Sequence, residues 1–250
     1  MYGPARPLIL AVETSGRTGS VALALGQQVL AESAFSAPMR HSAEIFGAIK
    51  ALLERFGRVP KEIEQIYISV GPGSFTGLRI AVTMAKTMNL ANNVKIAALD
   101  TLDVIAANAT DYQKTHERQL DKIATILDAK RGQFFIAVYQ NHKGNSRWEK
   151  IFSDSLMTAE QFLEKFANRQ AFTEGREQPI WLLGEGLVYH KDKFRTVGIR
   201  FLPDNYWHPT AAKVHLLGWD MAVQDQFADA VTLEPRYLRR PAPEEKSATN

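Results

Sequence analysis

The sequence predicts an α/β protein of two duplicated lobes, each a sheet with helices packed on it. Three observations carry this expectation. Strand-length apolar runs alternate with helical patterns through the first part of the chain. One plan (apolar strand, terminal acid, glycine turn, return strand) starts near residue 8 and again near residue 122. With 250 residues, the chain has room for two lobes of ordinary size.

Taken in order, residues 8–12 (LILAV) are a buried strand ending at Glu13 in the turn ETSGRTG, and residues 20–25 return as a second strand. Ser42 is placed as an N-cap, with Glu44 in the first turn where its charge complements the helix dipole. Ile45, Phe46, Ile49, Leu52, Leu53 and Phe56 recur at helical spacing until Gly57 stops the helix. Pro60 opens a short helical turn. Residues 66–70 are a strand running into the loop GPGSFTG at 71–77, followed by a helix at 78–90, a strand at 95–99 and a helix at 102–108.

Residues 123–127 (IATIL) end in Asp128 and the turn at Gly132, and residues 134–139 return. Thr158 with Gln161 makes a capping box for a helix reaching Phe166. Strands are expected at 180–183 and 199–202, and Pro209 with Thr210 opens a helix through Met221. The lobes are placed at 1–110 and 111–240, with a disordered tail at 241–250.

Hydrophobic residues make up 45% of the chain and charged residues 23%, an ordinary globular balance. The net charge of +3 is interspersed, which permits an acidic partner without requiring one. There is no cysteine, so disulfides, thiolate metal sites and a cysteine nucleophile are excluded. The first apolar run is too short for a membrane span, and the expectation is a soluble cytoplasmic protein that engages no membrane.

The sharpest local feature is the loop at 71–77. Glycines after a strand let the backbone turn tightly, and amides at a helix start can hold an anion. Yet Gly77 is followed by Leu78 and Arg79, not by the Lys-Ser/Thr of a Walker loop. The spacing G-x-G-x-x-x-G also misses the dinucleotide pattern, and Pro72 lacks an amide proton. The residues favour a structural turn over a phosphate site at Gly71, Gly73 and Ser74. Glu13, Thr14 and Ser15 can likewise bind phosphate or magnesium, or can satisfy their own turn. His41 has Ile45 four residues on, and His208 and His215 are seven apart without an acid at ligand spacing, so no metal pair is expected. Ser74 lacks the G-x-S-x-G frame of a hydrolase nucleophile. Arg236, Arg239 and Arg240 form a basic cluster that reads by default as a solvated tail; it can also touch RNA phosphates, though only Tyr237 accompanies it for stacking.

The runs LAVETS at 10–15, RHS at 40–42, GPGSFTGLRI at 71–80, LDAKRG at 127–132 and PRYLR at 235–239 resemble the TsaB (YeaZ) family over nearly the whole chain. The resemblance implies an α/β fold of actin-like (ASKHA, ribonuclease H-like) duplicated α/β lobes. It implies a non-catalytic accessory subunit without a cofactor, acting in transfer of threonylcarbamoyl to a tRNA adenosine. The partners would be a TsaD-like catalytic paralogue and a TsaE-like ATPase, with tRNA met indirectly and a homodimer in isolation.

Glu13, Thr14, Ser15, Gly71, Gly73 and Ser74 would then be a vestigial nucleotide site. Ile45, Ile49, Leu52, Leu53, Leu78, Met84 and Met88, on the two helices flanking the loop, would face the partner. Ile45 stands where the paralogue has the second histidine of its metal pair. Two further departures are Glu13, where the family usually has aspartate, and Gln133, where it often has glutamate. The alternatives are an ATP-binding enzyme of this fold and a glycoprotease-like metallopeptidase, the older label for such chains.

Overall fold

The computed structural model describes residues 6–35, 41–141, 148–167 and 178–239. The tail expected at 241–250, and Arg240, lie outside the described residues.

The first sheet contains β1 (Leu8–Glu13), β2 (Ser20–Leu25), β3 (Gln28–Ala34), β4 (Ile63–Gly71) and β5 (Lys95–Asp100), in the order β3-β2-β1-β4-β5. The second contains β6 (Lys122–Asp128), β7 (Gln133–Asn141), β8 (Trp148–Thr158), β9 (Ile180–Leu183) and β10 (Ile199–Phe201), in the order β10-β9-β6-β7-β8. In both, the first three strands pair antiparallel and the last two join parallel to the first. The two sheets therefore share one topology, and the duplicated plan extends well beyond the two hairpins visible in sequence.

Strand β1 is apolar from Leu8 to Val12 because both of its faces are covered. Leu8, Leu10 and Val12 join the core beneath α1 (His41–Arg55) and α2 (Phe75–Asn92). Ile9 and Ala11 face the other way, with Ala22, Ala24 and Ala97, toward α7 (Ala211–Val223). Those small side chains admit a close helix. A Cβ on Gly218 of α7 would fall 2.5 Å from the Tyr67 ring. Among the described residues the remaining α-helices are α3 (Thr101–Ala106), α4 (Asn108–Thr115), α5 (Ala159–Phe166) and α6 (Leu187–His190). The capping box of α5 is present: Gln161 N donates to Thr158 Oγ1 and Thr158 N donates to Gln161 Oε1.

Several expectations are corrected. Ser42 lies inside α1 and is not its cap. Strands β3 and β8 are additional elements: both are sheet edges with polar outward positions, so neither shows an apolar run. The lobes are not the contiguous blocks 1–110 and 111–240. Helix α7 returns to the first sheet, Ala228 bridges Ile96, and Leu233 enters the first core. Conversely, Leu102, Ile105, Ala109 and Tyr112 of α3 and α4 belong to the second core.

The helix positions assigned to a partner face are corrected most. Ile45, Leu52, Leu53, Leu78 and Met84 are buried within this chain, Leu52 being 5% exposed and Met84 8%. Ile49 and Met88 are partly buried against the same core. The wide apolar set on α1 and α2 is filled by their own sheet, as strands buried on two faces require.

Candidate functional site

Glu13 ends β1 in the interior. Its Oε1 accepts the Ser15 amide at 2.6 Å and the Ser15 hydroxyl, and its Oε2 accepts the Ser69 hydroxyl. Burial raises the Glu13 pKa above its usual value; the Ser15 and Ser69 hydrogen bonds pull the other way, and Glu185 adds to the rise. A raised folded pKa contributes stability below about pH 4.5 that is lost as pH rises through the folded value. Glu13→Gln cannot ionise and keeps one of the two acceptor oxygens, so its stability relative to the native chain is expected to rise between pH 4.5 and pH 7. Urea titrations at the two pH values check this; a relative loss toward pH 7 would show that the charge itself is required.

The loop at 71–77 is packed against its own protein. Ser74 N donates to Ser15 O at 2.8 Å, and Thr14 Oγ1 donates to Gly77 O at 2.7 Å. Ser74 caps α2, its Oγ accepting Gly77 N at 3.3 Å. A Cβ on Gly73 would lie 2.5 Å from Ser15 O, and one on Gly77 would overlap the Thr14 carbonyl oxygen. Gly71, at φ +123°, leaves room for the Arg236 carbonyl, which a Cβ would approach to 2.5 Å. The three glycines admit two passing stretches of main chain, residues 14–15 and Arg236, where a phosphate cradle needs its amides turned to open space.

The stretch against Gly71 is a strap at residues 235–239 that ties the lobes together. Arg236 N donates to Val70 O at 2.7 Å in the first lobe. Its guanidinium pairs with Asp100 at the end of β5 and, at 3.0 Å, with the buried Asp154 of β8. Lys150 joins the same cluster, 2.8 Å from Asp154 and 2.7 Å from Asp103. Tyr237 stacks on Phe75 with ring centroids 4.2 Å apart, Leu238 packs on the second core, and Arg239 donates to Ala129 O and Gln133 Oε1.

Between the lobes lies a cleft of about 890 Å³. Ser15, Gly73 and Ser74 line one wall, and Asp128, Lys130 and Tyr189 the other. Buried Glu185 crosses it, accepting Arg17 N at 2.7 Å and contacting His208 Nδ1 at 2.7 Å. The Glu185 hydrogen bond raises the His208 pKa, opposed by partial burial. This contribution is complete below about pH 6.5 and is lost as pH rises through the raised folded value. The destabilisation by His208→Ala is therefore expected to be larger at pH 6 than at pH 9, a difference read from paired melting curves. An equal penalty at both pH values would remove the charged pair from the account.

The fold thus gathers all six residues of the expected nucleotide site at one joint, but turns them inward. His208 and His215 do not converge: His215 is buried with Nε2 2.9 Å from Gly26 O. Sequence reasoning missed Arg17, Glu185, Tyr189 and the Asp100–Lys150–Asp154 cluster. A signal existed, since Asp100 and Glu185 follow strands as Glu13 and Asp128 do.

Fold and site define a protein of two duplicated α/β lobes whose glycine loop is an internal joint. Residues 28–245 match the family model TsaD, tRNA N6-adenosine threonylcarbamoyltransferase. The tRNA threonylcarbamoyladenosine biosynthesis protein TsaB of Bacillus subtilis (strain 168) is 30% identical over 234 residues, covering 92% of this chain and 93% of the relative. Its namesake in Escherichia coli (strain K12) is 26% identical over 232 residues, with coverage of 92% and 94%. A solved structure of YeaZ from Pseudomonas aeruginosa shares the fold at a TM-score of 0.74 and 20% identity, covering 93% of this chain and 100% of that one. The chain belongs to the TsaB (YeaZ) family.

Proposed function

We propose that this chain acts in tRNA threonylcarbamoyladenosine biosynthesis as a non-catalytic accessory subunit in the cytoplasm. It binds a TsaD-like paralogue, which works with a TsaE-like ATPase, and two copies of the chain pair when the paralogue is absent. The remnant nucleotide site at Glu13, Thr14, Ser15, Gly71, Gly73 and Ser74 serves as a structural joint and needs no cofactor.

The observation that carries this reading is the outer face of α1. Phe46 is 65% exposed there, beside exposed Gly47, Lys50, Ala51 and Glu54. A glycine inside a helix costs about 1 kcal/mol against alanine. Among the described residues, nothing lies within 4 Å of a Cβ placed on Gly47. A large apolar residue beside two small ones suits the close approach of a second helix. Leu90, near the end of the neighbouring α2, is 88% exposed. Co-elution with a purified TsaD-like paralogue tests the reading: the native chain is expected to bind, and Phe46→Asp to fail while still folded.

A further inference from the structure

We infer that the cleft between the lobes is a binding site for single-stranded RNA. The inference rests on the pathway proposed above and goes beyond it, because it makes the chain touch RNA directly. Its ground is charge left over inside the cleft. Arg17 carries no carboxylate partner among the described residues; its guanidinium lies 4.9 Å from the centre of the Tyr189 ring. Arg239 is likewise bonded only to neutral oxygens, those of Ala129 and Gln133. By contrast, Lys130 is paired with Asp128, and Arg236 with Asp100 and Asp154.

Each unpaired arginine region is accompanied by an aromatic face. Tyr189, 65% exposed, stands at the cleft with Arg17 against it. On the strap side, Phe75 and Tyr237 form a stacked pair that lines the cleft, and Arg79 lies over Phe75 at 4.3 Å, donating to Tyr237 OH and without a carboxylate partner among the described residues. Arginines interleaved with aromatic faces along a groove are the means by which proteins hold unpaired nucleotides: cations meet successive phosphates, and rings stack on bases. A small phosphate ligand would want converging donors. Here the glycine loop is closed by main chain, while the arginines without a carboxylate partner among the described residues sit on separate elements: Arg17 in the β1–β2 turn and Arg239 on the strap line the cleft, and Arg79 on α2 stands behind Phe75.

Fluorescence anisotropy of the full chain with a labelled single-stranded RNA of about 12 nucleotides, a length matched to such grooves, tests this. Binding is expected, weaker by about tenfold in Tyr189→Ala, and weakened in Arg17→Glu and Arg239→Glu with a shallower dependence on salt. Arg239 also anchors the strap, so if that variant melts early, Arg17→Glu and Tyr189→Ala carry the test. The inference is overturned by no binding, by equal affinity for a duplex, by unchanged affinity in the variants, or by full displacement of the RNA by adenosine monophosphate, which would mark a small-ligand site. Partner capture is read in the same preparations. A chain that captures its partner yet binds no RNA sinks this inference alone.

Discussion

Gly77→Ala is expected to destabilise the unliganded chain by about 4 kcal/mol, lowering Tm by roughly 10 °C. The added methyl overlaps the Thr14 carbonyl, which is backbone in a buried strand end and cannot swing aside as a side chain would. The shift would also strain the Thr14–Gly77 hydrogen bond and the Ser74 cap of α2. Gly132→Ala is the control. That residue has φ +74° but open space around a Cβ, so its cost is limited to backbone strain of about 1 kcal/mol. If the loop were a phosphate cradle, Gly77→Ala would spare the melting of the unliganded chain and weaken only a ligand. Equal melting of Gly77→Ala and the native protein would therefore contradict the internal joint.

Much of this architecture was legible in sequence, for identifiable reasons. The interior strands β1, β4 and β6 carry largely apolar runs at 8–12, 66–70 and 123–127 because helices or a second layer cover both faces, and such runs are hard to mistake. Edge strands β3 and β8 alternate polar and apolar residues over partly exposed faces and were invisible as runs. The return of α7 to the first sheet was hidden as well. It depends on Ala11, Ala22, Ala24 and Ala97 making a shallow face across strands distant in sequence, and on Gly218 fitting Tyr67. The six residues of the expected nucleotide site were found as a group, but not their orientation. Whether a glycine faces open space or a carbonyl is a property of the folded chain, since Thr14 and Gly77 are 63 positions apart.

Phe46→Asp and Leu52→Asp are expected to part company, although both residues lie on α1. Phe46 projects to solvent, so a carboxylate there stays hydrated in the free chain and the melting temperature changes little. In a complex the same carboxylate is buried without a partner, which costs several kcal/mol, or about 3 in round terms, and weakens binding by more than a hundredfold. Leu52 is core; Asp at that position buries a charge in the first lobe and is expected to unfold the chain by more than about 4 kcal/mol. Paired melting and binding assays distinguish a surface residue from a core residue on the same helix. A folded Leu52→Asp chain that loses its partner would return the interface to the buried positions expected from sequence.

The most direct measurement is the elution of the purified chain with and without a TsaD-like paralogue, with mass read by light scattering. The account predicts a stable complex containing both chains, its formation lost in Phe46→Asp and retained in Glu13→Gln. A native chain that elutes alone at micromolar concentrations beside the folded paralogue would contradict the accessory-subunit reading. So would a complex that Phe46→Asp leaves at full strength, because the α1 face would then not be where the partner binds.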